Sequence, residues 1–109
     1  MKDRYYDFRK KTAPRAAAAA LQYDPVSSEP PMVVAAGHGL VAEQIIAIAK
    51  AHDVPLREDP GLVEALSRLE VGSVLPRELY VVVAEVLAWV YRVDMGAEEQ
   101  RVDVTVRKR

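Results

Sequence analysis

Residues 76–94, PRELYVVVAEVLAWVYRVD, decide the fold of this 109-residue chain. Glu78, Glu85 and Arg92 lie seven positions apart and leave only a narrow polar strip, so we expect most of this segment to be covered. The remaining apolar residues recur at the spacing of one face of an α-helix. This pattern predicts a central helix that packs a core through Leu79, Val82, Val83, Val86, Leu87 and Val90.

The bulk composition excludes several classes of function. A chain of 109 residues, half of them hydrophobic, has room for one small domain with a real core. The formal charge of −1 provides no field to attract nucleic acid or anionic lipid, so we expect no nucleic-acid partner. Without cysteine, a disulfide framework and a thiolate metal site are both excluded. No apolar run approaches the ~20 residues that cross a bilayer, so we expect no membrane insertion and a cytoplasmic location.

Secondary-structure signals alternate along the part of the chain that precedes the long helix. Residues 32–36 predict a short buried strand, and residues 54–58 a second short strand. Between them a helix begins at Leu40. Asp59-Pro60 predicts an N-cap and a first-turn proline that open another helix, which extends to about Leu69. The apolar face of the first of these helices is predicted to consist of Leu40, Val41, Ile45, Ile48 and Ala49.

Three segments are less clearly defined. Residues 16–23, AAAAALQY, favour a helix by alanine propensity, but prolines bracket the segment closely, as expected for a strand. Residues 1–12 carry five basic and two acidic side chains and predict a charged N-terminal tail or a contact surface. Residues 102–106 alternate valines and fit an added strand or a frayed tail equally well. The overall order indicates an α/β fold, a single domain with a small mixed sheet of three to four strands and about three helices.

Residues 37–42, GHGLVA, match the G-x-G-x-x-G/A pattern of dinucleotide-binding turns. Glu58 and Asp59 follow about twenty residues later, where a ribose-binding acid belongs. The alternative function is therefore a small nucleotide- or cofactor-binding protein that uses Gly37, Gly39 and Glu58. Against it, the chain is too short for the second half of such a site, and the glycines also suit a tight strand-to-helix turn.

Catalytic and metal-binding patterns are absent from the sequence. His38 and His52 have no second histidine or cysteine at the spacing of metal ligands. No serine or threonine has an evident base partner in sequence. We therefore expect no enzyme activity, no cofactor and no metal site.

Four pieces of the sequence, in this order and spacing, resemble one known family: LQYD (21–24), VVAAGHGLVA (33–42), VP (54–55) and LYVVVAEVLAWVY (79–91). The chain resembles the cytoplasmic C-terminal domain of the FlhB/YscU-type export switch proteins of flagellar and type III secretion. The likeness favours a strand at residues 16–23. It divides the chain into a charged tail (1–12), a domain similar to the FlhB C-terminal domain (13–95) and a polar C-terminal extension (96–109).

Two departures from the family pattern lie at the self-cleavage loop and in the strand that precedes it. Family members cut themselves at an Asn-Pro-Thr-His loop, where the asparagine side chain attacks its own carbonyl. The matching residues here are Ala13, Pro14, Arg15 and Ala16, so the nucleophile is missing and no self-cleavage is expected. The family has an apolar strand before this loop, whereas residues 8–12 here are FRKKT, which cannot form that buried strand. We expect a stand-alone soluble homologue in which residues 102–106 cover the exposed edge of the sheet.

The resemblance implies function by binding. The family domain docks early export substrates and a length-sensing protein at the secretion gate, and its state decides which substrates pass. Substrate contact in the family maps here onto Pro30 and Pro31 in a loop and onto Ala84 and Leu87 in the long helix. These relations predict a non-enzymatic module of protein export whose partners are export substrates and proteins of the gate. A scaffold unrelated to export would have the same sequence features. We expect a monomer, because one chain can enclose the long helix.

Overall fold

A computed structural model describes residues 16–93 and 102–108 of the chain. The strands are β1 (Ala17–Tyr23), β2 (Met32–His38), β3 (Leu56–Glu58) and β4 (Val102–Arg107), and the helices are α1 (Leu40–Ala51), α2 (Pro60–Leu66) and α3 (Tyr80–Val93). A 3-10 turn, Arg77–Leu79, leads directly into α3. The predicted α/β class, with a small mixed sheet and three helices, is confirmed, and the segment 16–23 forms the strand β1 from Ala17 onward.

The C-terminal strand lies inside the sheet. The strand order is β2-β1-β4-β3, with β1 antiparallel to both of its neighbours and β3 parallel to β4. Of the two possibilities for residues 102–106, the structure therefore contains the strand. The segment covers an edge of β1, as expected, and it lies inside the sheet because β3 pairs with its other side. The division of the chain at residue 95 stays a prediction, since residues 94–101 lie outside the described residues.

The main core lies on the face of the sheet that carries α2 and α3. It joins alternate residues of β1 and β4 to three side chains of α2 and four of α3. Ala18 and Thr105 are buried but point to the opposite face, where Ala42 and Ala49 of α1 pack. The sheet thus separates two helical layers, α2 and α3 on one side and α1 on the other.

The start of α2 follows the sequence prediction. The Asp59 carboxylate accepts a hydrogen bond from the Leu62 amide at 3.1 Å, and Pro60 occupies the first turn. The helix ends at Leu66 rather than near Leu69, because the chain tightens there: the Leu69 amide donates to the Leu66 carbonyl, a 3-10 spacing. Gly72, with φ 93°, then turns the chain back toward the beginning of β2.

Two helical predictions fail at the surface. On α3, Val83, Val86, Leu87 and Val90 are buried as expected, but Val82 is 38% exposed and the helix is covered on one side only. On α1, the buried residues are Ala42 and Ala49, whereas three residues of the predicted face are exposed: Leu40, Val41 and Ile48. Both helices therefore present apolar side chains to solvent. Periodicity identified the helices correctly but overestimated how much of each the fold covers.

Candidate functional site

A groove of about 670 Å³ opens between the loop of residues 24–31 and α3; we call it the α3 groove. The loop contributes Pro25 and residues 27–31, and Tyr23 and Leu75 also line the groove. The helix contributes Val83 from its core stripe and a second apolar stripe beside it: Tyr80, Ala84, Leu87, Ala88 and Tyr91.

All four residues of the predicted patch line this groove. Pro30 and Pro31 form part of the loop wall and are half-buried. Ala84 is exposed on the helix wall, and Leu87, only 8% exposed, belongs to both the core and the groove. The structure therefore brings the loop prolines and the helix residues together at one surface.

Local hydrogen bonds hold the loop in shape. The Ser27 amide donates to the Asp24 carbonyl at 3.1 Å, and the Val26 amide donates to the Asp24 carboxylate at 3.0 Å. The Glu29 amide donates to the Ser27 hydroxyl at 2.9 Å. Such Asx and ST turns fix the backbone where prolines already restrict φ. The loop wall of the groove is thus ordered before any ligand arrives.

The far end of the loop is fastened to the segment that precedes α3. The Leu75 amide donates to the Pro31 carbonyl at 2.8 Å, and the Val33 amide donates to the Ser73 carbonyl at 3.0 Å. Met32 and Val74 form an isolated antiparallel bridge. Leu75 is 2% exposed and is anchored in the core beneath the groove. These contacts set the distance between the loop wall and the helix wall.

The chemistry of the groove suits an apolar ligand. Among its lining residues only Glu29 carries a charge, and the tyrosines at 23, 80 and 91 add rings with a polar tip. An apolar concave surface with a few polar groups is typical of a binding site. Lining residues that were not predicted from the sequence include Tyr23, Leu75, Tyr80, Ala88 and Tyr91. The spacing of residues 80, 84, 87 and 91 was the available signal, since it marks a second helical stripe.

Comparison with known proteins identifies the family. Residues 12–90 match the FlhB HrpN YscU SpaS family. The chain belongs to this family. It is 38% identical over 92 residues to the uncharacterized protein YlqH of Bacillus subtilis, covering 84% of this chain and 99% of YlqH. It is 48% identical over 82 residues to the flagellar biosynthetic protein FlhB of Salmonella typhimurium, covering 74% of this chain but 21% of that protein. FlhB of Bacillus subtilis is 40% identical over 82 residues, 23% of its length.

The FlhB-family match and the fold have different limits. The match ends at residue 90, whereas the sheet of this chain continues with β4 at residues 102–107. The chain spans nearly all of YlqH and about a fifth of the FlhB proteins. Within the described ranges, each helix is too short or too polar to cross a bilayer.

Of the four residues predicted to form a degenerate cleavage loop in this FlhB-family chain, only Ala16 lies within the described residues. Its carbonyl accepts a hydrogen bond from the Gly39 amide at 3.0 Å, which ties the start of β1 to the turn before α1. Ala13, Pro14 and Arg15 lie outside the described residues. The absence of self-cleavage stays a prediction that rests on the missing asparagine.

The glycine turn of this FlhB-family chain is explained by packing. A Cβ at Gly37 would collide with the Cγ1 and Cβ atoms of Val41 on the first turn of α1. Gly39 has φ 61°, a conformation that favours glycine. Asp59 caps α2. Glu58 is the last residue of β3, and its backbone lies opposite that of Arg107 in the parallel pairing with β4. The dinucleotide-binding alternative built on Gly37, Gly39 and Glu58 is therefore not supported.

The histidines occupy unrelated places. His38 Nε2 lies 3.9 Å from Glu64 Oε1, and Lys108 Nζ lies 3.2 Å from Glu64 Oε2, so this exposed cluster joins the sheet to α2. His52 follows the end of α1, where its amide donates to the Ile48 carbonyl at 3.1 Å. In residues 16–93 and 102–108, no three His, Asp or Glu side chains are grouped to hold a metal ion.

Proposed function

We propose that this chain is a non-enzymatic binding module of the flagellar or type III protein export apparatus. It takes an apolar segment of an export substrate into the α3 groove and acts in the cytoplasm beside the gate proteins. Membership of the FlhB HrpN YscU SpaS family supports an export role, and the FlhB relatives are named flagellar biosynthetic proteins.

The observation that carries the proposal is the convergence of four residues on one groove. Pro30 and Pro31 are more than fifty positions before Ala84 and Leu87 in sequence, yet all four line the same groove. The resemblance to export switch proteins implies substrate contact at these positions independently of the groove. A preformed apolar concavity is what such contact requires, since an ordered wall lowers the entropy that binding costs.

The size of the groove suits weak and reversible binding. A fully buried leucine or aromatic side chain gains roughly 1.5–3 kcal/mol from desolvation, and ordering of the ligand offsets part of that gain. One or two such side chains therefore give affinities that allow a substrate to move on. The near absence of charge in the groove favours binding over acid-base chemistry, which needs positioned ionisable groups.

Complementation tests the proposal in cells. The chain is expressed in a flagellated strain whose FlhB lacks its cytoplasmic C-terminal half, and secreted hook and filament proteins are quantified. We expect partial or full restoration of export by a chain that intact-mass spectrometry shows to be uncut. Unchanged export in the presence of abundant folded protein would contradict the proposal and favour a scaffold unrelated to export.

A pair of matched variants assigns the effect to the groove. Ala84→Glu places a carboxylate on the exposed helix wall and is expected to weaken binding of purified early export substrates at least tenfold. A charge buried against an apolar ligand is costly, whereas the exposed position protects the fold. Val81→Glu, on the same helix at a position 72% exposed and outside the groove, is the control. Equal binding by both variants and the parent chain would exclude the groove as the substrate site.

A further inference from the structure

The outward face of α1 is largely apolar, with Gln44 as an exposed polar residue within it. Leu40 is 54% exposed and Ile48 60% exposed, although both are large aliphatic side chains. Ala47 and Ala51 are exposed between and beyond them. Positions 40, 44, 47 and 51 follow the alternating spacing of four and three residues that forms the seam of paired helices. This stripe lies opposite Ala42 and Ala49, which face the sheet.

The two flanks of the stripe differ in chemistry. Glu43 and Lys50, seven residues apart, lie along one side, and both are exposed. Val41 and Ile48, also seven apart, lie along the other side. In a helix, residues seven apart share a face, so each flank is a line along the helix axis. One line carries one acid and one base, and the other carries two aliphatic side chains.

We propose that α1 is a self-association surface, on which a second copy of this chain packs its own α1 antiparallel about a two-fold axis. In that arrangement each flank meets the same flank of the other helix in reverse order. Glu43 of each copy then lies beside Lys50 of the other, twice per dimer. Val41 of each copy lies beside Ile48 of the other, also twice.

The charges select this geometry among the possible helix pairs. In a parallel pair, the flank with Glu43 and Lys50 would lie against the aliphatic flank of the second helix, leaving both charges without partners. A surface that is complementary to itself only when reversed is the signature of a two-fold interface. Ala47 and Ala51 are small and let the two backbones approach closely along the seam.

The size of the surface sets the strength of the association. A helix of twelve residues is about 18 Å long, so the pair buries less than a standard-size interface of roughly 1,600 Å². Association is therefore weak and concentration-dependent. This inference departs from the monomer expected from the sequence, which assumed that the chain encloses its long helix. It is also independent of the proposed export role.

Sedimentation velocity of the full chain, at concentrations from about 5 μM to about 0.5 mM, tests the inference. We expect the average mass to rise toward that of a dimer, and Ile48→Asp to keep the chain a monomer throughout this range. Ile48 is largely exposed, so this variant is expected to keep its thermal unfolding midpoint. A monomer at every concentration would overturn the proposal, as would a dimer unaffected by Ile48→Asp.

Exchanging the charges at Glu43 and Lys50 distinguishes the antiparallel helix pair from any other interface. Glu43→Lys and Lys50→Glu each create two like-charge contacts and are expected to weaken association roughly tenfold, the scale of two exposed ion pairs reversed. The double variant restores opposite charges and is expected to associate like the parent chain. Each substitution slightly opposes the helix dipole, and the double variant carries both penalties, so recovery cannot arise from helix stability.

Glu70→Lys, an exposed charge reversal in the turn after α2, is the matched control and is expected to leave the association unchanged. Failure of the double variant to recover, with each single variant weakened, would overturn the antiparallel pairing. Export complementation and substrate binding do not enter this experiment, so its failure and the failure of the proposed function are distinguishable.

Discussion

The two helical layers of this protein expose apolar residues in different shapes. On α3, the neighbouring loop of residues 24–31 rises beside the helix and converts its second apolar stripe into a concave groove. On α1, the described residues leave the outward stripe convex and bordered by Glu43 and Lys50. A concave surface accepts a side chain from a ligand, whereas a convex stripe requires a partner that lies along it. The same residue types therefore suit different partners according to what stands beside the helix.

A substitution in the sheet that separates the two layers is expected to disrupt both surfaces at once. Val104→Asp places a carboxylate on β4 at a position 1% exposed, within the main core. We expect a loss of at least 3 kcal/mol in the free energy of unfolding, because an unpaired charge is buried. Urea denaturation followed by circular dichroism measures the loss.

Asp103→Asn, at an exposed position of the same strand, is the control and is expected to change stability by less than about 0.5 kcal/mol. A stable Val104→Asp protein would show that β4 is dispensable, which contradicts its place between β1 and β3.

Gly37→Ala breaks the α1 layer while leaving the α3 groove in place. The added methyl meets Val41, so α1 must shift away from the end of β2. We expect a loss of about 1–3 kcal/mol in stability, the usual cost of overpacking. Thermal and urea unfolding give the stability, and substrate binding at the groove is expected to persist in the folded fraction.

The double variant Gly37→Ala/Val41→Ala supplies the check. Val41→Ala removes the Cγ1 atom that would collide and is expected to recover part of the stability. If the double variant were as unstable as Gly37→Ala, the close approach of β2 and α1 would not be the reason for a glycine at this position.

Arg57→Gln tests a contact that holds α3 against the sheet. The Arg57 guanidinium lies 5.4 Å from the centre of the Trp89 ring and joins β3 to α3 away from the groove. Loss of this cation–π contact is expected to cost about 0.5–1 kcal/mol. Urea denaturation measures the free energy of unfolding of this variant and of the control Arg68→Gln, which changes an exposed arginine after α2. The control is expected to change that free energy by less than about 0.5 kcal/mol. Equal stability of the two variants would assign Arg57 no role in holding α3.

Local sequence signals identified the helices and strands but not how much of each helix is buried. Asp59-Pro60 predicted the start of α2, because a cap involves only neighbouring residues. The apolar stripe of α3 predicted Val83, Val86 and Val90 as core residues. The same stripe included Val82, which is partly exposed, since periodicity measures direction around a helix and not the extent of the layer beneath it.

The candidate site was predictable only in part. Pro30, Pro31, Ala84 and Leu87 came from the resemblance to the FlhB/YscU-type proteins, and the structure places them in one groove. Tyr23 and Leu75 were not predicted, because their place in the groove depends on the pairing of β1 and on the turn at Gly72. Such contacts join segments that have no local relation in the sequence.

By itself, the sequence determined the class of fold, the order of most elements, the capped start of α2 and the family, because periodicity, capping and motif order are properties of neighbouring residues. The tertiary structure decided where β4 lies, which stripes remain exposed, and that a loop and a helix form one groove. Gln22 on β1 and Asp103 on β4 show the reason: their side chains are 3.3 Å apart across 81 positions of sequence. Pairings over such distances are selected by the packing of the whole domain, and no local pattern encodes them.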